Sequence, residues 1–170
     1  MIKTRLMALL VMLAAVIASQ AQSLTGKHWF ADMSDKENEI GLTMTFDTNG
    51  GCAANVALKH VEEIDGGVDL VIHFVMKVPG TYTLKGKQVS MKFDQKKAKY
   101  DLVADFKGVD EATKQMLKGM VQPELDKIKP QLTDELIESL PTNDSYEITK
   151  LTDKELQFDG GFDLVAVSGD

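Results

Sequence analysis

Three histidines and one cysteine are the residues of this sequence whose types could bind a metal ion. His28, His60 and His73 have no helical i, i+4 spacing, and none has a cysteine partner. Histidines from neighbouring strands could still meet beside an acid such as Glu62. Surface or hydrogen-bonded histidines are the commoner outcome, so the sequence predicts no metal site and no cofactor.

A nucleophile with an activating base is also not indicated. Ser90 and Cys52 lie in strand-like stretches, and no Gly-x-Ser-x-Gly elbow is present. Acidic residues are plentiful, but they alternate outward on strands or follow polar helix faces. We therefore expect no enzymatic activity. Cys52 has no second cysteine to pair with, so it is either a small buried apolar residue or a site of intermolecular disulfide formation.

The first residues have the pattern of a secretory signal peptide. Lys3 and Arg5 precede an apolar run from Leu6 to Ala18, and Ser19 and Ala21 place small residues before a cleavage site. We expect 1–21 to be removed, leaving one domain over 22–170 that is secreted or periplasmic. No cysteine lies near the cleavage site to carry a lipid anchor, and no stable membrane insertion is expected after cleavage. An uncleaved membrane anchor is the alternative.

The charge balance narrows the classes of partner. Without the signal peptide, 17 lysines face 26 acidic residues, and the only arginine, Arg5, is gone. Nucleic-acid binding is not expected, because it calls for a basic surface. The missing guanidinium also removes the bidentate clamp that commonly holds carboxylates and phosphates.

Period-two alternation predicts strands on both sides of a helical stretch. Leu42, Met44 and Phe46 alternate with polar residues before an Asn-Gly turn, and about seven short strands follow in series up to Phe106. Pro79-Gly80 is expected to end one of them. Strands joined by tight turns favour an antiparallel meander, which closes most simply as an up-and-down barrel, with a two-sheet sandwich as the alternative.

Helical spacing of apolar residues replaces this pattern at about 108–141. Pro130 is expected to produce a kink or the start of a new helix, with Thr133 as a possible cap. Strand-like alternation then returns at Tyr146 and continues to the last strand. The predicted fold is mainly β, an antiparallel up-and-down barrel of about 8–10 strands with an α-helical insertion.

The stretches "LTGKHW", "LTMTFDTNGG", "GTYTLKGKQVSMKF" and "YEITKLTDKELQF" resemble the secreted lipocalin-like (calycin-like) proteins of Bacteroidetes. The resemblance covers about 24–106 and 144–167. It implies a small barrel without known enzymatic activity that binds an apolar or small ligand. By the same resemblance, Gly26 and Trp29 are barrel-closing residues. Two residues separate them where lipocalins have one, no arginine is present to pack on Trp29, and the helix comes earlier in the chain.

The sequence leaves two possibilities for the interior of such a barrel. The inward-facing side chains either form a packed core or line a cavity for a small apolar molecule. The candidate ligand-binding residues are Met44, Phe46, Leu58, His60, Phe74, Met76, Tyr82, Met91 and Phe93.

The helical insertion has its own candidate surface. Its apolar residues either cover the barrel as a lid or bind a protein partner, as in an interaction or inhibitor module. The candidate residues of this surface are Met116, Met120, Leu125, Ile128, Leu132 and Leu136. The sequence thus predicts a non-enzymatic binding protein, with a ligand inside the barrel or, alternatively, a partner on the helices.

Overall fold

A computed structural model of the chain describes residues 24–64, 66–140, 145–159 and 163–167. The expected signal peptide lies outside these residues. The prediction of a mainly β fold with one helical segment is confirmed. The strands are β1 (His28–Asp32), β2 (Asn38–Phe46), β3 (Gly51–Ile64), β4 (Val68–Lys85), β5 (Gln88–Phe93), β6 (Lys99–Lys107), β7 (Ser145–Leu151), β8 (Glu155–Phe158) and β9 (Asp163–Val167), and the helix α1 is Glu111–Ser139.

The nine strands form one antiparallel sheet whose pairings return to their starting point. Each of β1 to β4 pairs with the next strand, β5 pairs with β7, each of β7 and β8 pairs with the next strand, and β9 closes back on β1. The sheet is therefore ring-like, and β6 is attached to it through β4.

Strand β4 is longer than the sequence predicted. It continues through Pro79 and Gly80, so the expectation that these residues end a strand is wrong. The Pro79 carbonyl accepts a hydrogen bond from the amide of Asp94 at 2.8 Å. The N–H and C=O of a strand residue point to the same side of the strand. The side on which Pro79 lacks an N–H therefore faces the gap between the end of β5 and the start of β6. No ladder hydrogen bond is lost there.

Helix α1 runs without a break through both of its prolines. The expectation of a new helix at Pro130, with Thr133 as its cap, is therefore wrong. Pro123 and Pro130 are exposed, and each removes only one helical hydrogen bond. Thr133 is buried, and its hydroxyl donates to the Lys129 carbonyl at 2.7 Å, as a residue inside a helix does. The helix begins at Asp110, whose carboxylate accepts from the Thr113 amide at 2.9 Å.

Strand and helix side chains meet in one hydrophobic core. Most inward-facing positions of the strands are buried, as the period-two pattern predicted, whereas Leu58, Leu70 and Tyr82 are half-buried. Leu125, Ile137 and Leu140 of the helical segment belong to the same core. Leu117 and Val121 of its N-terminal half also pack against this core, so the helix is anchored along most of its length.

Candidate binding site

The inside of the ring is filled by the side chains expected to bind a ligand. Met44 and Phe74 have no exposed surface, and Phe46, Met76, Met91 and Phe93 are at most 7% exposed. A cavity that admits even a water molecule leaves accessible surface on the side chains that line it. These six residues therefore pack against one another and the rest of the core.

The other three candidate ligand residues lie toward the two ends of the sheet. Leu58, His60 and Tyr82 are half-buried. Tyr82 contacts Phe46 edge-on, with ring centroids 5.1 Å apart, and its hydroxyl donates to the Asp47 carbonyl at 2.9 Å. The register of β3 and β4 separates His60 from Tyr82 by ten strand residues, about 33 Å. The structure does not bring them to one site.

Gly26 lies just before β1, and Trp29 lies within it. Trp29 is fully buried, with an exposed fraction of zero. Its Nε1 donates to the Leu24 carbonyl at 2.9 Å, and the Lys27 ammonium lies 5.5 Å from the centroid of its ring. Gly26 has a φ of 71°, which favours glycine, and its amide donates to the Phe46 carbonyl at 3.3 Å.

The histidines and the cysteine are the side chains considered above for metal binding or nucleophilic chemistry. Within the described residues, no three His, Cys, Asp or Glu side chains are grouped closely enough to hold a metal ion. Nδ1 of His60 lies 3.0 Å from the side-chain oxygen of Asn38. Burial, with the nearby Asp47 carboxylate, raises the pKa of the Cys52 thiol to about 11. At neutral pH Cys52 is therefore a protonated, weakly nucleophilic core residue.

The six candidate residues of the helix lie on two different faces. Leu125 is buried, and Leu132 and Leu136 are half-buried against the core. The exposed fractions of the other three are 59% for Met116, 67% for Met120 and 51% for Ile128. One face of the helix therefore anchors it, and the other presents apolar side chains to solvent.

Polar contacts join the anchoring face to β6. The ammonium groups of Lys114 and Lys118 lie 2.8 and 2.9 Å from the Asp105 carboxylate, and they hold its pKa well below the ordinary value. The amide of Gln122 donates to the Leu102 carbonyl at 2.9 Å. These contacts cover the edge of β6 that faces away from β4. Sequence analysis treated Asp105 only as an outward strand residue and missed this role.

A shallow trough crosses the outer face of the sheet. Its floor is Gly41, Ala57 and Val75, which pair in turn across β2, β3 and β4. The Phe30 ring covers one end so closely that a Cβ at Gly41 would lie 2.8 Å from it. The trough has a volume of about 440 Å³, and an adjoining space of about 420 Å³ shares the same floor.

Two lysines stand together beside this trough. Lys77 and Lys99 are directly opposite each other on β4 and β6, and both are exposed. Neither is in an ion pair with another described residue, whereas the neighbouring Lys59 is held 2.6 Å from Glu39. The alternation pattern of a single strand does not indicate such a trough, because it depends on which residues of neighbouring strands lie side by side. The small residues Gly41 and Ala57, aligned across strands, are the signal that could have indicated it.

The fold and these surfaces define a mainly β protein with one antiparallel ring-like sheet and one helix. No protein-family model and no curated protein matches this sequence. In the part of the chain that the structure describes, no helix has the length and apolar character needed to cross a membrane.

Proposed function

We propose that this chain is a secreted, non-enzymatic protein-interaction module. In this proposal the filled ring is a rigid scaffold, and the outer face of α1 binds the partner. The observation that carries it is the exposure of Met116 and Met120, one helical turn apart, on a helix whose opposite face is already anchored.

The helix face has the chemistry of a partner surface. Ala112, Met116 and Met120 follow one another at i, i+4 spacing on the solvent side. Apolar anchors at this spacing are how an amphipathic helix enters the groove of another protein. Methionine side chains are flexible and polarisable, so they adapt to a partner surface. Exposed apolar side chains grouped in this way mark interaction sites more often than isolated ones do.

The alternative function, an apolar ligand inside the ring with the helix as a lid, has less support. It would require Met44, Phe74 and Met91 to move apart, although each is at most 2% exposed. Opening a ligand-sized cavity among close-packed side chains costs several kcal/mol. The ligand would have to supply that energy in addition to its own binding.

Secretion and the barrel form are part of the same proposal. Secretion rests on the signal-peptide pattern of 1–21. The up-and-down, lipocalin-like barrel is supported by the closed cycle of antiparallel pairings and by the position of Trp29 in the core. A barrel that has no open sheet edge makes a stable scaffold for a binding helix.

Chemical cross-linking in the secreted or periplasmic fraction of the source cells tests this function. The purified tagged protein is incubated with that fraction, cross-linked, and mapped by mass spectrometry. We expect one protein partner whose cross-links concentrate on α1, and its loss in the double variant Met116→Gln/Met120→Gln. The matched control is Val165→Gln/Val167→Gln, which changes two exposed valines of β9.

Three outcomes would contradict the proposal. The partner's cross-links could fall mainly on strands, or both double variants could lose the partner equally. Native mass spectrometry could also find a small molecule bound with one-to-one stoichiometry, whose release exposes Trp29 to solvent. That last result would favour the ligand-carrier alternative.

A further inference from the structure

We propose that the trough on the outer face of the sheet binds a single-chain amphiphile with an anionic head group. The apolar chain lies over Ala57 and Val75 and against the Phe30 ring, which covers Gly41, and the anion sits between Lys77 and Lys99. This site is separate from the exposed face of α1, so it does not depend on the proposed protein partner.

The shape of the trough comes from residue size across the strands. Side chains at outward positions normally stand up from a sheet and fill the space between rows. Here the row through β2 and β3 has no side chain at Gly41 and only a methyl group at Ala57. The flanking row of Thr43 and Asn55 forms one wall, and the Lys59–Glu39 ion pair, at 2.6 Å, lies on the other side.

The lining of the trough is mostly apolar where it is deepest. Phe30 and Val75 provide carbon surface at the two ends of the floor, and Val75 is 53% exposed. The volume of about 440 Å³ is in the lower range of small-molecule sites. It suits one acyl chain and is small for a two-chain lipid.

The two lysines beside the trough favour a ligand with an anionic group. Like charges directly opposite on neighbouring strands destabilise a sheet, and Lys77 and Lys99 are such a pair. The nearest acid, Asp101, lies opposite Val75 and lines the trough, where it is engaged by the Lys129 ammonium at 3.3 Å and by the Leu102 amide at 3.0 Å. Within the described residues neither Lys77 nor Lys99 has an ion-pair partner, and an anion between their ammonium groups would relieve their mutual repulsion.

Titration with decanoate, kept monomeric, tests this site by amide NMR of the purified protein. We expect saturable shifts at Ala57, Val75 and Lys77, and none at the indole N–H of Trp29, which is buried inside the ring. Decylammonium, with the same chain and the opposite charge, should bind more weakly. The variant Ala57→Met should abolish binding by filling the trough.

The lysine variants give the quantitative test. Lys77→Gln/Lys99→Gln should weaken decanoate binding about tenfold, the effect of losing two exposed ion pairs. The matched control Lys85→Gln/Lys87→Gln removes the same charge at the β4–β5 turn and should leave binding unchanged.

Other results would overturn the proposal. Shifts at the Trp29 indole with no change at Ala57 would place decanoate inside the ring. Equal weakening in both lysine variants would mean that only net charge matters. Binding to phosphatidylglycerol vesicles without any binding of monomeric decanoate would assign the lysines to a membrane surface. Absence of saturable shifts would exclude the site.

Discussion

Replacing Trp29 with alanine tests the central packing of the ring. The side chain has no exposed surface and lies in the same core as Met44 and Phe46. Removing a buried tryptophan costs about 3 to 5 kcal/mol of unfolding free energy, from lost burial and the cavity left behind. A domain of this size has a total stability of about 5 to 15 kcal/mol. The variant should therefore lose at least a fifth of its stability.

The intermediate variant Trp29→Phe separates ring packing from the hydrogen bond. Phenylalanine keeps an aromatic ring in the core but leaves the Leu24 carbonyl, 2.9 Å from Nε1 in the native protein, without its donor. We expect a loss of about 1 to 2 kcal/mol, smaller than that of Trp29→Ala. Urea unfolding followed by far-ultraviolet circular dichroism measures both variants, because neither retains a tryptophan signal.

Two results would refute this description of Trp29. A loss below about 1 kcal/mol for Trp29→Ala would mean that the indole is not a packed core residue. A wild-type fluorescence spectrum typical of a solvent-exposed indole would contradict its burial directly.

Three further predictions concern other parts of the fold. Cys52, whose pKa is raised to about 11, should react with iodoacetamide far more slowly in native than in urea-unfolded protein at about pH 8, and equal rates would contradict its burial. Asp105→Asn should lower the urea midpoint at neutral pH. Because the Lys114 and Lys118 ammonium groups lower the Asp105 pKa, this stabilisation is present above the unfolded-state pKa and lost as the pH falls through the lower folded-state value. The difference between Asp105→Asn and wild type should therefore shrink in acid, and a constant difference would refute the ion-pair account. Gly80→Ala should destabilise by about 1 to 3 kcal/mol, since its Cβ would lie 2.6 Å from the Lys92 carbonyl oxygen, and unchanged stability would refute that contact.

Alternation in the sequence predicted most of the sheet because burial on one face imposes a period of two. Leu42, Met44 and Phe46 are all buried, as expected. The length of β4 was not predictable in the same way. Proline and glycine ordinarily end strands, but Pro79 lies where β5 and β6 are interrupted, and that depends on pairing between distant parts of the chain.

The trough could not be predicted from the sequence of any single strand. Gly41 and Ala57 are 16 residues apart, and they become neighbours only through the register of β2 and β3. The lysine pair has the same origin, because Lys77 and Lys99 meet only where β6 pairs with β4. Whole-chain charge also hid this pair, since an acidic protein can carry a local basic site.

The two faces of α1, in contrast, could have been predicted from the sequence. Each helical residue advances by about 100° around the axis, so Leu125, nine residues after Met116, lies on the opposite side. Treating Met116 and Leu125 as parts of one apolar stripe combined an exposed residue with a residue that anchors the helix to the core. Among the described residues, the core that contains Leu125 and Ile137 covers one of the two apolar sides of α1. Packing within the described fold therefore does not account for the exposed Met116 and Met120. A search for a partner of α1 is for this reason the most informative next experiment.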